Sequence, residues 1–247
     1  MIRAPRIARA ALLALLGAFL VAPGRFAPLF RPFAPGDTPP IYGQTPLLTL
    51  AVNHLLLVAA ATATATGIAL GLAVAATRPA GRDVLPFARS VARIGQTFPP
   101  VAVLALAVPI LGFGAVPTLI ALILYGLLPI FETALTGLEA IDPALLEAAR
   151  GMGLTDRQRL VRVELPLALP MILSGIRLAA VIGLATATIG STVAASTLGE
   201  VIISGLLTGN TAYVLQGGLV VSALALLTDA GFRRLERGAA RRAGFRS

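Results

Sequence analysis

Residues 147–166 read EAARGMGLTDRQRLVRVELP, a polar stretch of 20 residues between long apolar runs. Asp142 before Pro143 has the form of an N-cap followed by proline at the first helical position, so a short helix is expected from Pro143 to about Arg150. Gly151 and Gly153 end it. Thr155 with Gln158 three residues on has capping-box spacing and starts a second short helix, which the proline at 166 is expected to stop near Leu165. On the first helix Leu145, Ala148, Ala149 and Met152 share a face at i, i+3, i+4 and i+7 spacing. The two alanines would let the groove of another protein approach the backbone, which makes the segment a shallow docking knob.

The fixed positions here are E-A-A, three residues, G, nine residues, an aliphatic residue, any residue, then L-P. In this form the stretch resembles the EAA loop of ABC importer permeases, the cytoplasmic segment that seats in a cleft of the ATP-hydrolysing subunit. The resemblance implies that Glu147, Ala148, Ala149, Gly151, Gly153, Val163, Leu165 and Pro166 couple this chain to an ATPase. The wider string GLEAIDPALLEAARGMGLT (137–155) and the downstream LPLALPMILSGIR (165–177) are most similar to permeases for osmoprotectants such as glycine betaine, choline and carnitine. A methionine or other amino-acid importer is the alternative within the class; a channel or a membrane scaffold is the alternative outside it.

Composition places the chain in a membrane by a separate route. Hydrophobic residues make up 57% and charged residues 13%, with mean hydropathy +0.88, whereas a soluble domain carries about 25% charged residues. Crossing the hydrocarbon core takes about 20 apolar residues, and uncharged windows yield six spans. The first lies at 10–22 behind Arg3, Arg6 and Arg9 and is read as an uncleaved anchor rather than a signal peptide, because no A-x-A site follows it. The second lies within 47–77, with its first residues expected along the outer interface. From Ile94 to Phe131 there are 38 uncharged residues, enough for spans three and four joined at Gly112-Phe113-Gly114. The fifth runs from about Ala168 to Val193 and the sixth from about Tyr213 to Thr228. The fold class is therefore all-α, a polytopic bundle of about six transmembrane helices, and the resemblance implies a type I ABC importer core. The expected domains are 1–46, an anchor helix and external connection; 47–232, the permease domain with its coupling loop at 137–166; and 233–247, a basic cytoplasmic tail.

All 20 basic residues are arginine, and with the N-terminus inside 17 of them fall on one side: Arg3, Arg6 and Arg9; Arg78, Arg82, Arg89 and Arg93; Arg150, Arg157, Arg159 and Arg162; and six after Asp229. That side is the cytoplasm by the positive-inside rule, which places both termini and the 147–166 stretch there; the resemblance implies a bacterial inner membrane. The net charge of +9 is thereby explained without nucleic acid. The chain has no cysteine, no HExxH and no phosphate-binding loop of the G-x-x-x-x-G-K-S/T type. By the resemblance it carries no cofactor and does no chemistry. ATP and magnesium belong to a partner ATPase, and the other partners are a second permease copy or homologue and a periplasmic substrate-binding protein.

Small residues at Ala61, Ala65, Gly67 and Gly71, and at Gly183, Thr186, Ala187 and Gly190, have the spacing of close helix contacts, which serve either ordinary packing within one subunit or a translocation path or permease dimer seam. Thr186, Thr188 and Ser191 are the pathway candidates. Glu132 and Arg177 lie at comparable depth and are a candidate buried pair, the alternative being two side chains that snorkel separately. His54 is expected at the outer interface. Ser196-Thr197-Leu198-Gly199 stands where the resembled family has a glycine-rich string at its external gate.

Overall fold

A computed structural model describes residues 4–244 apart from 79, 80, 82 and 84. Arg3, Arg82 and Arg246 of the charge count lie outside the described residues, as does the Arg6 side chain.

The described residues are helices and turns, with no strand among them. Helix α1 spans Ala4–Val21, and the chain then bends by 109° into short helical turns over Pro23–Phe33. Helix α2 is one unbroken run, Leu47–Ala76, of 30 residues without proline or formal charge. Its first residues continue the helix rather than lying apart along an interface. Helix α3, Leu85–Thr97, meets α4, Pro100–Leu111, at a bend of 94°. The Pro99-Pro100 pair causes the bend, since a residue before proline is driven out of the helical region, and Pro99 sits at φ −59°, ψ 144°. Gly112 and Gly114, at φ +78° and +121°, then turn the chain into α5, Ala115–Glu139, as expected at that point.

Helix α6 is Pro143–Gly151. One α-turn at Asp156–Arg159 and one π-turn at Leu160–Glu164 lead without a stop into α7, Leu165–Thr186, and a 3₁₀ segment at Ala187–Val193. Here the expectation of a helix end near Leu165 fails for a definable reason. Pro166 has no N–H to give to the preceding turn, and the π-turn absorbs the mismatch, with Leu165 N–H donating five residues back to the Leu160 carbonyl. Helix α8 is Gly199–Thr208 and α9 is Thr211–Arg242. The apolar count ends near Thr228, but α9 runs on through the basic residues, where Arg233 pairs with Asp229 one turn before it.

Among the described residues four helical runs are long and apolar enough to cross a membrane, and two bent pairs raise the number to six if each is one span. The chain is a multi-pass membrane protein. Its described residues divide into two compact units, the first drawn from 1–60, 99–122 and 181–227, the second from 61–98, 123–180 and 228–247.

The second unit has a continuous apolar core. A ridge of alanines on α2 (Ala65, Ala69, Ala73) is fully buried there with Leu127, Ile130, Phe131 and Ala134 of α5 and Ile172 of α7. Close approach depends on glycines facing that ridge and α7. A Cβ on Gly126 would stand 3.2 Å from the Ala65 methyl, one on Gly137 would stand 2.9 Å from Met171 Cβ, and one on Gly175 would run into Thr133 and the Pro129 carbonyl. Gly67 and Gly71 of α2 have open space around them, so in this chain the alanines and not the glycines make the seam. In the first unit Gly183 packs against Val58 and Gly190 against Thr118, so these two glycines of the fifth span make contacts within the chain.

Candidate functional site

The 147–166 stretch is organised by local hydrogen bonds that its sequence specifies. Asp142 caps α6, its carboxylate accepting from Ala144 N–H at 2.9 Å. At the other end Gly153 N–H donates to the Arg150 carbonyl at 2.9 Å and Leu154 N–H to the Ala149 carbonyl at 3.2 Å. This pair of bonds is a Schellman motif, with Gly153 as its left-handed residue at φ +79°. Gly151 is the last residue of the helix. The requirement for glycine at 153 is conformational, because nothing stands within 4 Å of where a Cβ would be. Thr155 and Gln158 close a reciprocal capping box, Thr155 N–H donating to Gln158 Oε1 at 2.9 Å and Gln158 N–H to Thr155 Oγ1 at 3.3 Å.

The exposed face is narrower than the spacing suggests. Leu145, Glu147, Ala148 and Met152 are exposed, Leu145 by 50% and Met152 by 73%, whereas Ala149 is 2% exposed and turns inward. Val163 and Leu165 are half-buried and Pro166 is exposed. The segment thus presents Leu145, Ala148 and Met152 and anchors itself through Ala149.

Its base is an ionic cluster that sequence reasoning missed. Glu164 lies at the unspecified position of the motif and is buried. It accepts from Arg159 Nε at 2.9 Å and from both terminal nitrogens of Arg78, just beyond α2. Arg159 also meets Asp156 at 3.0 Å. Arg78 and Arg159 entered the sequence reading only as members of a charge count. The available signal was a lone glutamate among four arginines in 147–166 after the EAA residue, and spacing alone does not say which of them it meets.

Glu132 and Arg177 do not pair. Glu132 faces Arg89 at 3.4 Å and Arg93 at 4.0 Å, on α3, while Arg177 donates to Asp229 at 3.0 Å and Glu236 at 2.6 Å, on α9. Shared depth carried no information about which way around its helix each side chain points. Nor do they snorkel singly: each has partners.

Residues 67–241 match the family of binding-protein-dependent transport system inner membrane components. The chain belongs to that family. The permease is 38% identical over 186 residues to the osmoprotectant import permease protein OsmY of Salmonella typhimurium, covering 75% of this chain and 79% of that one. It is 36% identical to the carnitine transport permease protein OpuCB of Listeria monocytogenes over 77% of this chain and 86% of that one. Among solved structures it resembles an inward-facing form of the MetNI methionine ABC transporter, with a TM-score of 0.69, 20% identity, and coverage of 78% of this chain and 95% of that one. That likeness concerns the fold, a type I ABC importer permease.

Of the pathway candidates in the permease, Thr188 gives its hydroxyl to the Ala185 carbonyl at 2.7 Å. Ser191 is tied to the Ala195 carbonyl at 3.0 Å and to Thr197 Oγ1 at 2.8 Å. Thr186 ends α7, half-buried. Ser191 therefore works as a brace for the segment that follows it. In that segment Thr197 is buried and donates to the Ala187 carbonyl at 3.1 Å, while Gly199 packs against the Thr188 backbone too closely for any side chain. Thr197 thus supplies side-chain bonds where the resembled family has glycine.

His54 is fully buried, not interfacial. Its Nε2 lies 2.9 Å from the Leu184 carbonyl and its Nδ1 3.4 Å from Leu198 N–H, so the ring carries its proton on Nε2 and ties α2 to α7 and to the segment that precedes α8. The proline-rich segment between α1 and α2 is also bolted down. Gln216 accepts from Tyr42 N–H at 3.2 Å and donates to the Pro40 carbonyl at 2.7 Å, and Asn210 donates to the Pro39 carbonyl at 3.1 Å. Tyr42 O–H donates to Glu200 at 2.7 Å, and burial together with that carboxylate pushes the Tyr42 pKa upward.

Proposed function

We propose that this permease imports osmoprotectants, glycine betaine and related quaternary amines, by alternating access driven by a separate ATPase. The observation that carries the coupling part is the helix, left-handed glycine and capping box at 143–158, which hold Leu145, Ala148 and Met152 outward on a rigid base. Closure of a pair of ATPases on ATP and magnesium would move this knob, and a knob that cannot flex passes the displacement on to α7, with which it is continuous through the π-turn. In this reading Glu147, Ala148, Gly153 and their neighbours face the cytoplasm of a bacterial inner membrane, as do both termini, in keeping with the distribution of arginine. Two permease copies, or this chain and a homologue, enclose the path, and a periplasmic binding protein delivers the solute. The osmoprotectant assignment is supported by the curated relatives, with 36–38% identity over most of the chain.

The test is purification of tagged permease from its native host in mild detergent, beside the Gly153→Asp variant, and uptake of labelled glycine betaine after osmotic upshift. An ATPase that accompanies the wild type and is lost from the variant supports the coupling role. Uptake of methionine but not of glycine betaine would reassign the substrate and leave the coupling intact.

A further inference from the structure

A groove of about 610 Å³ runs along α7 and the end of α9 in the second unit. Its floor is a stripe of leucines one helical turn apart, Leu165, Leu169 and Leu173, faced by Leu235. Leu169 is 40% exposed and Leu235 57% exposed. Two arginines, Arg234 and Arg242, border it eight residues apart on one side of α9, a rise of about 12 Å. Neither is in an ion pair among the described residues. The carboxylates of this end of α9 are already taken, Asp229 by Arg177 and Arg233, and Glu236 by Arg177. An apolar trough on a membrane protein, with two uncompensated cations at its edge, matches a molecule that has an aliphatic chain and a negative head.

We infer that this groove binds an anionic phospholipid, with an acyl chain along Leu165, Leu169 and Leu173 and the phosphate at Arg234 and Arg242. A neutral lipid satisfies the leucines and leaves the arginines without a counter-charge, and a soluble anion does the reverse. Because the trough begins at Leu165, next to the π-turn, a bound lipid would brace the junction through which the 147–166 knob joins α7. The lipid class of the surrounding leaflet would then set how firmly that junction is held.

The chain has no cysteine, so Leu235→Cys gives it a single attachment point for a benzophenone maleimide, and adducts are read on this chain. The full chain, purified as its intact membrane complex, is reconstituted into vesicles of equal parts phosphatidylcholine and phosphatidylglycerol, illuminated, and its adducts identified by mass. The expected product is a phosphatidylglycerol adduct in preference to phosphatidylcholine. Adding Arg234→Gln and Arg242→Gln should remove a preference of roughly 30-fold, the worth of two arginines at a lipid surface. Equal labelling of the two lipids, or a preference that survives loss of both arginines, overturns the inference. So does a protein adduct at this position, whether to a second copy of the chain or to another subunit.

Discussion

Arg159 Nε donates to Glu164 Oε1 at 2.9 Å, and both side chains are only 7% exposed. With Arg78 on the other side of the same carboxylate, one buried glutamate balances two arginines and fastens the 147–166 segment to the end of α2. A buried charge stripped of its partner costs several kcal/mol, whereas an exposed pair is worth little. Glu164→Ala should therefore destabilise the protein by on the order of 3 kcal/mol and lower its apparent melting temperature in detergent by several degrees. Asp156→Asn removes a partner of the same arginine whose own side chain is 87% exposed, and its effect should stay below about 1 kcal/mol. Equal melting temperatures for the two variants would mean that the cluster does not hold the loop.

Gly153 adopts φ +79° with open space around it. A side chain there incurs backbone strain of roughly 1–2 kcal/mol, least for asparagine and aspartate. Gly153→Asp should abolish uptake while the protein still inserts, and Gly153→Asn, with similar strain but no charge, should keep part of it. Loss of uptake in both would assign the effect to the backbone and not to the charge at the knob.

Because Glu132 binds the arginines of α3 and Arg177 the carboxylates of α9, the two belong to separate clusters. The destabilisation caused by Glu132→Gln and Arg177→Gln together should equal the sum of the single effects within about 0.5 kcal/mol. A double-mutant cycle on thermal unfolding reads this directly. A larger coupling energy would show that the residues communicate.

Tyr42 supplies a pH dependence whose sign is set by its environment. The hydroxyl has an ordinary value of 10.0, raised here by burial and by Glu200. The neutral form is favoured in the folded protein, so the contribution to stability is complete below pH 10 and is lost as the pH rises above it. Alkaline unfolding of the wild type should steepen above pH 10, and Tyr42→Phe should remove that part of the profile. An unchanged slope in the variant would place the alkaline transition elsewhere.

The parts of the candidate site that were legible in the sequence are those made by neighbours in the chain. Asp142 and Thr155 lie two or three residues from the N–H groups they satisfy, and the glycine that ends α6 is needed for its own φ angle. Most of what residue spacing does not show involves partners distant in the chain. Ala149 shares helical spacing with Ala148 yet turns inward, and His54 meets Leu184 and Leu198, more than a hundred residues away. Pro166 read as a helix stop because the π-turn that accommodates it leaves no mark in residue type.

By itself the sequence determined that this chain crosses a membrane repeatedly, that it turns at Gly112 and Gly114, and that a capped helix with a glycine break and a capping box interrupts the apolar runs. Those properties follow from apolar length, charge placement and hydrogen bonds between near neighbours. Only the tertiary structure decided which way each helix faces, and with it that Glu164 joins Arg78 to Arg159, that Glu132 and Arg177 part company, and that Arg234 and Arg242 are left unpaired beside a leucine trough. The physical reason is that residue spacing specifies position along a helix axis, while rotation about that axis is settled by packing against elements remote in sequence.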